Sequence, residues 1–469
     1  MNPMSVSQAV QRFKIAAVLI VSAQAASAHA SDQGLVLLLP TGIYTAAGAS
    51  AVALTVLLMA VLPNAALTAL FRPLLLMRWR AGTWPLVTSG LSCVLLFWLV
   101  WTGFNGSRDP LSNPLPLMIW TIWWVGLVSL QGLFGNLWRW VNPWSGPVAL
   151  ARLVLGAGPL LRLPVWLGHA PALVTFLGFA AFLMADPAPA DPARLARFVG
   201  AYWVVSFAAL IVFGPRWARR GEGLSVLMQQ YARVAVFSRR KGRLAAGLSG
   251  WQVLAGRVPP LGLAVFALVM LGSGSFDGLN ETFWWLGVLG INPLEFPGRS
   301  AVVMQNFVGL LAANLMLAAI FAATIWAGLR LSRADIGLSH AVRIFAPTIL
   351  PIALGYHVAH YLPSFLVESQ YALAALNDPL VRGDDLLGLG TFYVTTGFFN
   401  TPATVRLIFL SQAGAVVVGH VLAVMLAHGA AARHFGAARR AVLGHAPLAI
   451  FMIGYTFFGL WLLASPRGV

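Results

Sequence analysis

Apolar windows of about 16–27 residues recur ten times along the chain, at 43–63, 84–104, 115–135, 163–184, 196–214, 259–274, 302–328, 345–368, 404–428 and 445–464. A helix rises ~1.5 Å per residue, so most of these windows match the ~30 Å hydrocarbon core of a bilayer. Only 9% of the residues are charged, and 59% are hydrophobic. Soluble domains carry roughly 25% charge, so this chain lacks the polar surface needed to face water. The pattern predicts an all-α polytopic membrane protein with about ten transmembrane helices and the lipid bilayer as its first partner. The window at 259–274 is the weakest, being short and ending in glycine and serine. ETFWWLGVLGINPLEF (281–296) reads as an interfacial or re-entrant piece.

The first residues read as a processing signal. Arg12 and Lys14 precede the apolar run IAAVLIVSAQAASA, and small residues follow. This is the order of a cleaved signal peptide, expected over 1–30 with a cut after Ala28 or Ala30. An uncleaved first helix is the alternative. A cut after Ala28 would expose His29, whose amine and imidazole together can chelate copper. The remaining 31–469 is then a transmembrane helical bundle.

The net charge of +17 first suggests a nucleic-acid partner. Its distribution argues against one. Taking the mature N-terminus as external, alternate connections hold Arg72, Arg78 and Arg80; Arg139, Arg152 and Arg162; the run from Arg216 to Arg257; Arg330, Arg333 and Arg343; and Arg433, Arg439 and Arg440. The opposite connections hold most of the acids, among them Asp186, Asp191, Asp277, Glu281, Glu368, Asp378, Asp384 and Asp385. Arginine on one side is the positive-inside asymmetry. It predicts a bacterial inner membrane protein with both mature termini periplasmic and no nucleic acid partner. The basic cytoplasmic connection 215–258 contains GLSVLMQQYARVAVFSRRKGRL, expected to be an amphipathic helix on the inner leaflet. The outer loops 275–301 and 369–403 carry most of the acids. A single cysteine, Cys93, excludes an internal disulfide or a cysteine-rich metal site. No phosphate loop, HExxH, CxxCH or GxSxG motif occurs, so ATP-driven and serine-hydrolase chemistry find no support.

YHVAHY (356–361) places two histidines at i and i+3 in an apolar window, on one helix face. VVVGHVLAVMLAH adds His420 and His428 in the next window. Ionisable groups at bilayer depth are costly and face the bundle interior, which makes them functional candidates. Three imidazoles from two helices suit a divalent transition metal, zinc or copper. His357, His360 and His420 are therefore the expected ligands, with His428, ~12 Å further along its helix, at a second site or inner gate. Glu368 and Asp378 are the candidate catalytic carboxylates, as ligand, base or ring-orienting partner. Interhelical hydrogen bonding is the plainer reading of the same histidines. Pro347, Pro351 and Pro363 interrupt the helix, as tolerated where it is buried or lines a cavity.

FGNLWRWVNPW, YHVAHYLPSFLVESQYALAALNDPL and VVVGHVLAVMLAH together resemble a bacterial family of multi-pass membrane proteins, the fenitrothion hydrolases. The likeness covers most of the chain after residue ~40, and the chain departs from it around LVRGDDLLGLG. The resemblance implies hydrolysis of an organophosphate triester with release of a nitrophenol. Such chemistry uses a metal-bound water and a Lewis acid on the phosphoryl oxygen, and a small apolar substrate reaches an intramembrane site through the bilayer. The first reading is thus a membrane-embedded, metal-dependent phosphotriester hydrolase. The second is a copper- or haem-binding membrane protein for metal handling or electron transfer, with a possible partner subunit. The third is a proton-coupled transporter.

Overall fold

The computed structural model describes residue 36 and residues 38–467, apart from 79–81, 157, 297 and 437. The expected signal peptide lies outside the described residues. Among the described residues, nine helices are long and apolar enough to cross a membrane. They are α1 (Thr41–Val61), α2 (Trp84–Asn105), α3 (Pro114–Leu133), α5 (Pro192–Phe213), α7 (Leu261–Leu279), α8 (Val303–Ser332), α9 (Leu338–Asn377), α10 (Pro402–His434) and α11 (Ala438–Ala464). The window at 163–184 becomes the shorter apolar helix α4 (Ala170–Ala185). A helical, polytopic membrane architecture therefore holds.

The helices are not equally internal. In the most apolar window of α9, 78% of residues are buried, and in α7 72%, against 17% in α1. These two helices form the axis of the bundle. α9 packs on α10, α3 and α7, and α11 packs on α8, α10 and α1. The α9–α10 crossing is set by glycine. A Cβ at Gly355 would run into the Ala415 carbonyl oxygen, and one at Gly419 would lie 2.5 Å from that of Pro351. Small residues let the two backbones touch, the usual device where no hydrophobic effect drives helices together.

Three departures from the sequence reading matter for the site. First, α7 does not stop at the glycine–serine run but continues to Leu279. Its small residues are an interface. Ser275 Oγ donates to Leu271 O (2.8 Å) and lies 2.6 Å from Tyr455 Oη of α11. Asn314 Nδ2 of α8 donates to Ser273 Oγ (3.1 Å). Asp277 is thereby carried inside the helix, 8% exposed, rather than standing in a solvated outer loop.

Second, the basic connection is not one amphipathic surface helix. The helix α6 (Gly223–Ala232) ends at Ala232, and Leu224, Leu227, Met228 and Tyr231 are buried. Its N-terminus is capped by Glu222, which accepts from the amides of Leu224 (2.8 Å) and Ser225 (2.6 Å). Strands β2 (Phe237–Arg240) and β3 (Arg243–Ala246) follow, and β3 also pairs with β1 (Leu74–Arg78), giving the antiparallel order β1-β3-β2. Lys241 and Gly242 connect them with φ of 51° and 73°. Two consecutive positive φ values are those of a two-residue hairpin turn, so the chain reverses where a helix would have continued. The bundle thus carries a small sheet.

Third, Leu117–Leu127 of α3 is wound as a π-helix. In α9 the turn Ala346–Ile349 tightens to 3-10 geometry; Pro347 within it and Pro351 just beyond it remove two amide donors four residues apart.

Candidate functional site

Histidine at i and i+3 on α9 needs only helical geometry to share a face, and both rings are buried, His357 at 6% and His360 at 9% exposure. What they meet depends on the neighbouring helices. His360 Nε2 lies 3.3 Å from Asp277 Oδ2 of α7. The Tyr361 hydroxyl donates to the same carboxylate oxygen. Arg467 Nη2 lies 3.4 Å from His360 Nδ1. A guanidinium is donor-only, so Nδ1 accepts, and the ring proton sits on Nε2, donated to Asp277. His357 Nε2 donates to the Trp124 carbonyl (3.0 Å) within the π-helical stretch.

Arg467 is itself held over the end of α7. It forms an antiparallel bridge with Thr282, and Phe283 N donates to Pro466 O (3.0 Å). Its other nitrogen lies 4.0 Å from Glu281, which Arg299 approaches at 3.9 Å. A file of ionisable groups thus runs from Glu281 through Arg467, His360 and Asp277 to Tyr361. The His357 ring follows at 5.0 Å from the Tyr361 ring.

Asp277, His357, His360 and Tyr361 border a cavity of about 30 Å³, closed on its other sides by Trp124, Phe179 and Tyr231. Two residues that line it, Trp124 and Tyr356, each carry a polar atom, Nε1 and the hydroxyl, that is buried without a hydrogen-bond partner among the described residues. An unsatisfied buried polar group costs ~1–3 kcal/mol, and a water needs only ~10–15 Å³ and two to four polar partners. The cavity therefore has the size and the donors for one or two waters. On the far side of Phe179 lies a groove of about 340 Å³, lined by Leu99, Trp120, Trp123, Trp144 and Trp203. Phe179 lines both spaces, and its ring sits 4.9 Å from Trp124 and 6.0 Å from Trp123.

The remaining expected site residues go elsewhere. His420 Nδ1 donates back to Val416 O (2.9 Å), and its Nε2 has no partner among the described residues. His428 Nε2 contacts Asn64 Oδ1 (3.2 Å), and its ring packs 5.6 Å from His445. Glu368 accepts from Thr121 Oγ1 (2.6 Å). Asp378 caps the loop beyond α9, accepting from the Arg382 and Gly383 amides at 2.8 Å each. These amides hold its carboxyl below the usual range. None of these four borders the histidine cavity. Among the described residues, no three His, Cys, Asp or Glu side chains are placed to hold one metal ion. The zinc or copper site expected from His357, His360, His420 and His428 is not assembled, and the donor set does not fit it. His357 and His420 each turn one ring nitrogen onto a backbone carbonyl.

Asp277 and Arg467 are the site residues that the sequence reading missed. The signal for Asp277 was present: a run of small residues in an apolar window marks close helix packing as readily as a helix end. Arg467 carried no local signal. No family model, curated protein or solved structure matches the chain.

Proposed function

We propose that the protein is a membrane-embedded hydrolase of a small apolar ester, of the phosphotriester class that its resemblance implies. Water in the buried cavity is activated by the Asp277–His360 pair. The observation carrying this reading is the junction at Phe179, with an apolar groove on one side and a water-sized ionisable cavity on the other. The groove has room for a small apolar molecule arriving from the bilayer, and the cavity excludes it. The reacting bond would therefore lie where the two meet. His360 takes the proton of the attacking water on Nδ1, which Arg467 first releases, and the Asp277 carboxylate 3.3 Å from Nε2 stabilises the imidazolium that forms. As the water oxygen bonds to phosphorus, the P–O bond to the aryloxide breaks and the aryloxide departs into the groove. Tyr361 fixes the carboxylate. Trp124 Nε1 and the Tyr356 hydroxyl are the donors available to a phosphoryl oxygen as charge develops on it. No step here uses a metal.

The test is release of 4-nitrophenolate from diethyl 4-nitrophenyl phosphate by the full chain in zwitterionic nanodiscs. Turnover by the native protein, lost in Asp277→Asn and His360→Asn, supports the proposal. Absence of turnover, or equal turnover by the variants, refutes it.

A second reading, proton-coupled transport, is favoured by the run of His360, Asp277, Tyr361 and His357, which starts beyond the permanently protonated Arg467. Groups at these separations can pass a proton inward when water bridges the gaps. Proteoliposomes enclosing a pH-sensitive dye separate the two readings, because only transport acidifies the lumen without hydrolysis. The arginine asymmetry of the connections further supports a cytoplasmic orientation for the end bearing the β-sheet, in a bacterial inner membrane.

A further inference from the structure

A second polar site lies away from the histidine cavity, and the proposed hydrolysis makes no use of it. Arg233 at the end of α6, Arg257 in the connection to α7, Arg343 in the first turns of α9, and Arg433 with His434 at the end of α10 border one pocket of about 270 Å³. No Asp or Glu lines that pocket. Among the described residues, none of the four arginines belongs to an ion pair. Positive-inside arginines are ordinarily scattered over loops and solvated. Four of them drawn from four separate elements onto one pocket need another explanation.

Three of the four arginines are held in place by backbone and side-chain acceptors, and Arg257 stands at the exposed rim. Arg343 Nε donates to Pro259 O (2.7 Å), Arg433 donates to Leu254 O, and Arg233 Nη1 lies 3.3 Å from Gln230 Oε1. Gln230 is anchored in turn, its Nε2 donating to Leu263 O (3.0 Å). A guanidinium has five N–H donors, so each anchored arginine keeps several for a ligand. Burial pulls the Arg233 guanidinium down to about 10, the direction expected of a cation lacking a compensating charge. His434 Nδ1 is occupied by Ala430 O (2.9 Å), which leaves its Nε2 side for the pocket. Val253, Leu254, Val258 and Ile344 add apolar wall.

We propose that this pocket binds an anion carrying two phosphate charges, held by Arg233, Arg257, Arg343 and Arg433. Fixed, donor-rich guanidinium groups match phosphate oxygens in pairs. Four of them exceed what a single phosphodiester neutralises. The apolar wall and the place among helix ends favour a lipid headgroup with two phosphodiesters. A soluble diphosphate offers the same chemistry.

The experiment is thermal unfolding of the full chain in maltoside micelles, titrated in three arms: diphosphatidylglycerol, phosphatidylglycerol at equal negative charge, and inorganic pyrophosphate. The expected result is a saturable rise in melting temperature with diphosphatidylglycerol, half-saturating at least about tenfold lower than with phosphatidylglycerol. Arg257→Glu should abolish the rise. Arg257 is exposed and forms no ion pair among the described residues, so this variant should fold. Arg343→Lys, which keeps the charge but not the paired donors, should weaken half-saturation by about tenfold. Saturation by pyrophosphate alone, sensitive to the same variants, upholds the site and assigns it a soluble ligand. A rise that Arg257→Glu and Arg343→Lys leave unchanged, or no saturable rise in any arm, overturns the proposal. Ester hydrolysis is not read in this experiment, so its outcome is independent of the proposed enzymatic function.

Discussion

Among the described residues the bundle contains two buried histidine pairs, and they are built differently. His357 and His360 share one face of α9. They meet a carboxylate, a tyrosine hydroxyl and an arginine beside a cavity. His428 of α10 and His445 of α11 face each other across a helix interface. His428 meets Asn64, and His445 Nε2 has no polar partner among the described residues. All four rings are buried to a similar degree, from 3% to 9% exposure. Burial of an ionisable ring inside a membrane bundle therefore does not by itself mark chemistry. The difference lies in the partner. A carboxylate gives a proton somewhere to go, whereas an amide only satisfies a hydrogen bond.

The sharpest way to break this contrast is Asp277→Asn. It keeps the shape and a hydrogen-bond acceptor but removes the charge. Loss of a positioned acid–base partner should lower turnover by roughly 10²–10⁴-fold, read as nitrophenolate release in nanodiscs. Equal turnover would erase the distinction between the pairs. Next in size is Gly278→Ala. A Cβ there would overlap the Tyr356 hydroxyl, and overpacking of this kind costs ~1–3 kcal/mol. We expect a lowered melting temperature and at least about tenfold slower turnover, with Gly414→Ala, whose Cβ meets nothing within 4 Å, as the silent control. His428→Ala should be smaller still. Interhelical polar contacts in membranes average ~0.6 kcal/mol, so melting should fall by a few degrees at most while turnover stays unchanged. A loss of turnover would instead give the second pair a function.

The smallest effect concerns the outer loop. Asp378 is held in its charged form by the Arg382 and Gly383 amides, so its carboxyl lies below the usual range. A depressed acid contributes its ordering above the ordinary carboxylate pKa and loses it as pH falls through the lowered folded value. At neutral pH, Asp378→Asn should speed hydrogen exchange at the Arg382 and Gly383 amides alone. Acidifying the native protein below the carboxylate range should have the same effect. A change in turnover would restore Asp378 to the catalytic role that its sequence position suggested.

Much of this was legible in the chain itself. Hydropathy located every membrane-length helix, because in lipid the backbone must satisfy its own hydrogen bonds and long apolar helices are the economical solution. The helical period placed His357 and His360 together. What each ring touches was not legible. Asn64 and His428 stand 364 positions apart, and Arg467 and His360 107 apart. No local pattern encodes a meeting between distant side chains. Two local signals were also open to misreading. The run Gly272 to Ser275 looks like a helix terminus until Asn314 and Tyr455 are seen to fill the space beside it. The pair Lys241–Gly242 sits in a basic stretch that fits a surface helix by composition, yet its positive φ values turn the chain back on itself. The π-winding of Leu117–Leu127 had no sequence signal that we can identify.

The glycine crossing of α9 and α10 bears on how the molecule moves. At Gly355 and Gly419 each backbone presses on a carbonyl of the other helix, with no side chain between to flex. Sliding one helix past the other by a residue would drive backbone into backbone, while a small rocking about the contact leaves it intact. The pair is an axle, and His360 rides on it at a fixed height. Any opening that admits a substrate must then come from the lighter elements around the axle, the short helix α4 with Phe179 foremost among them.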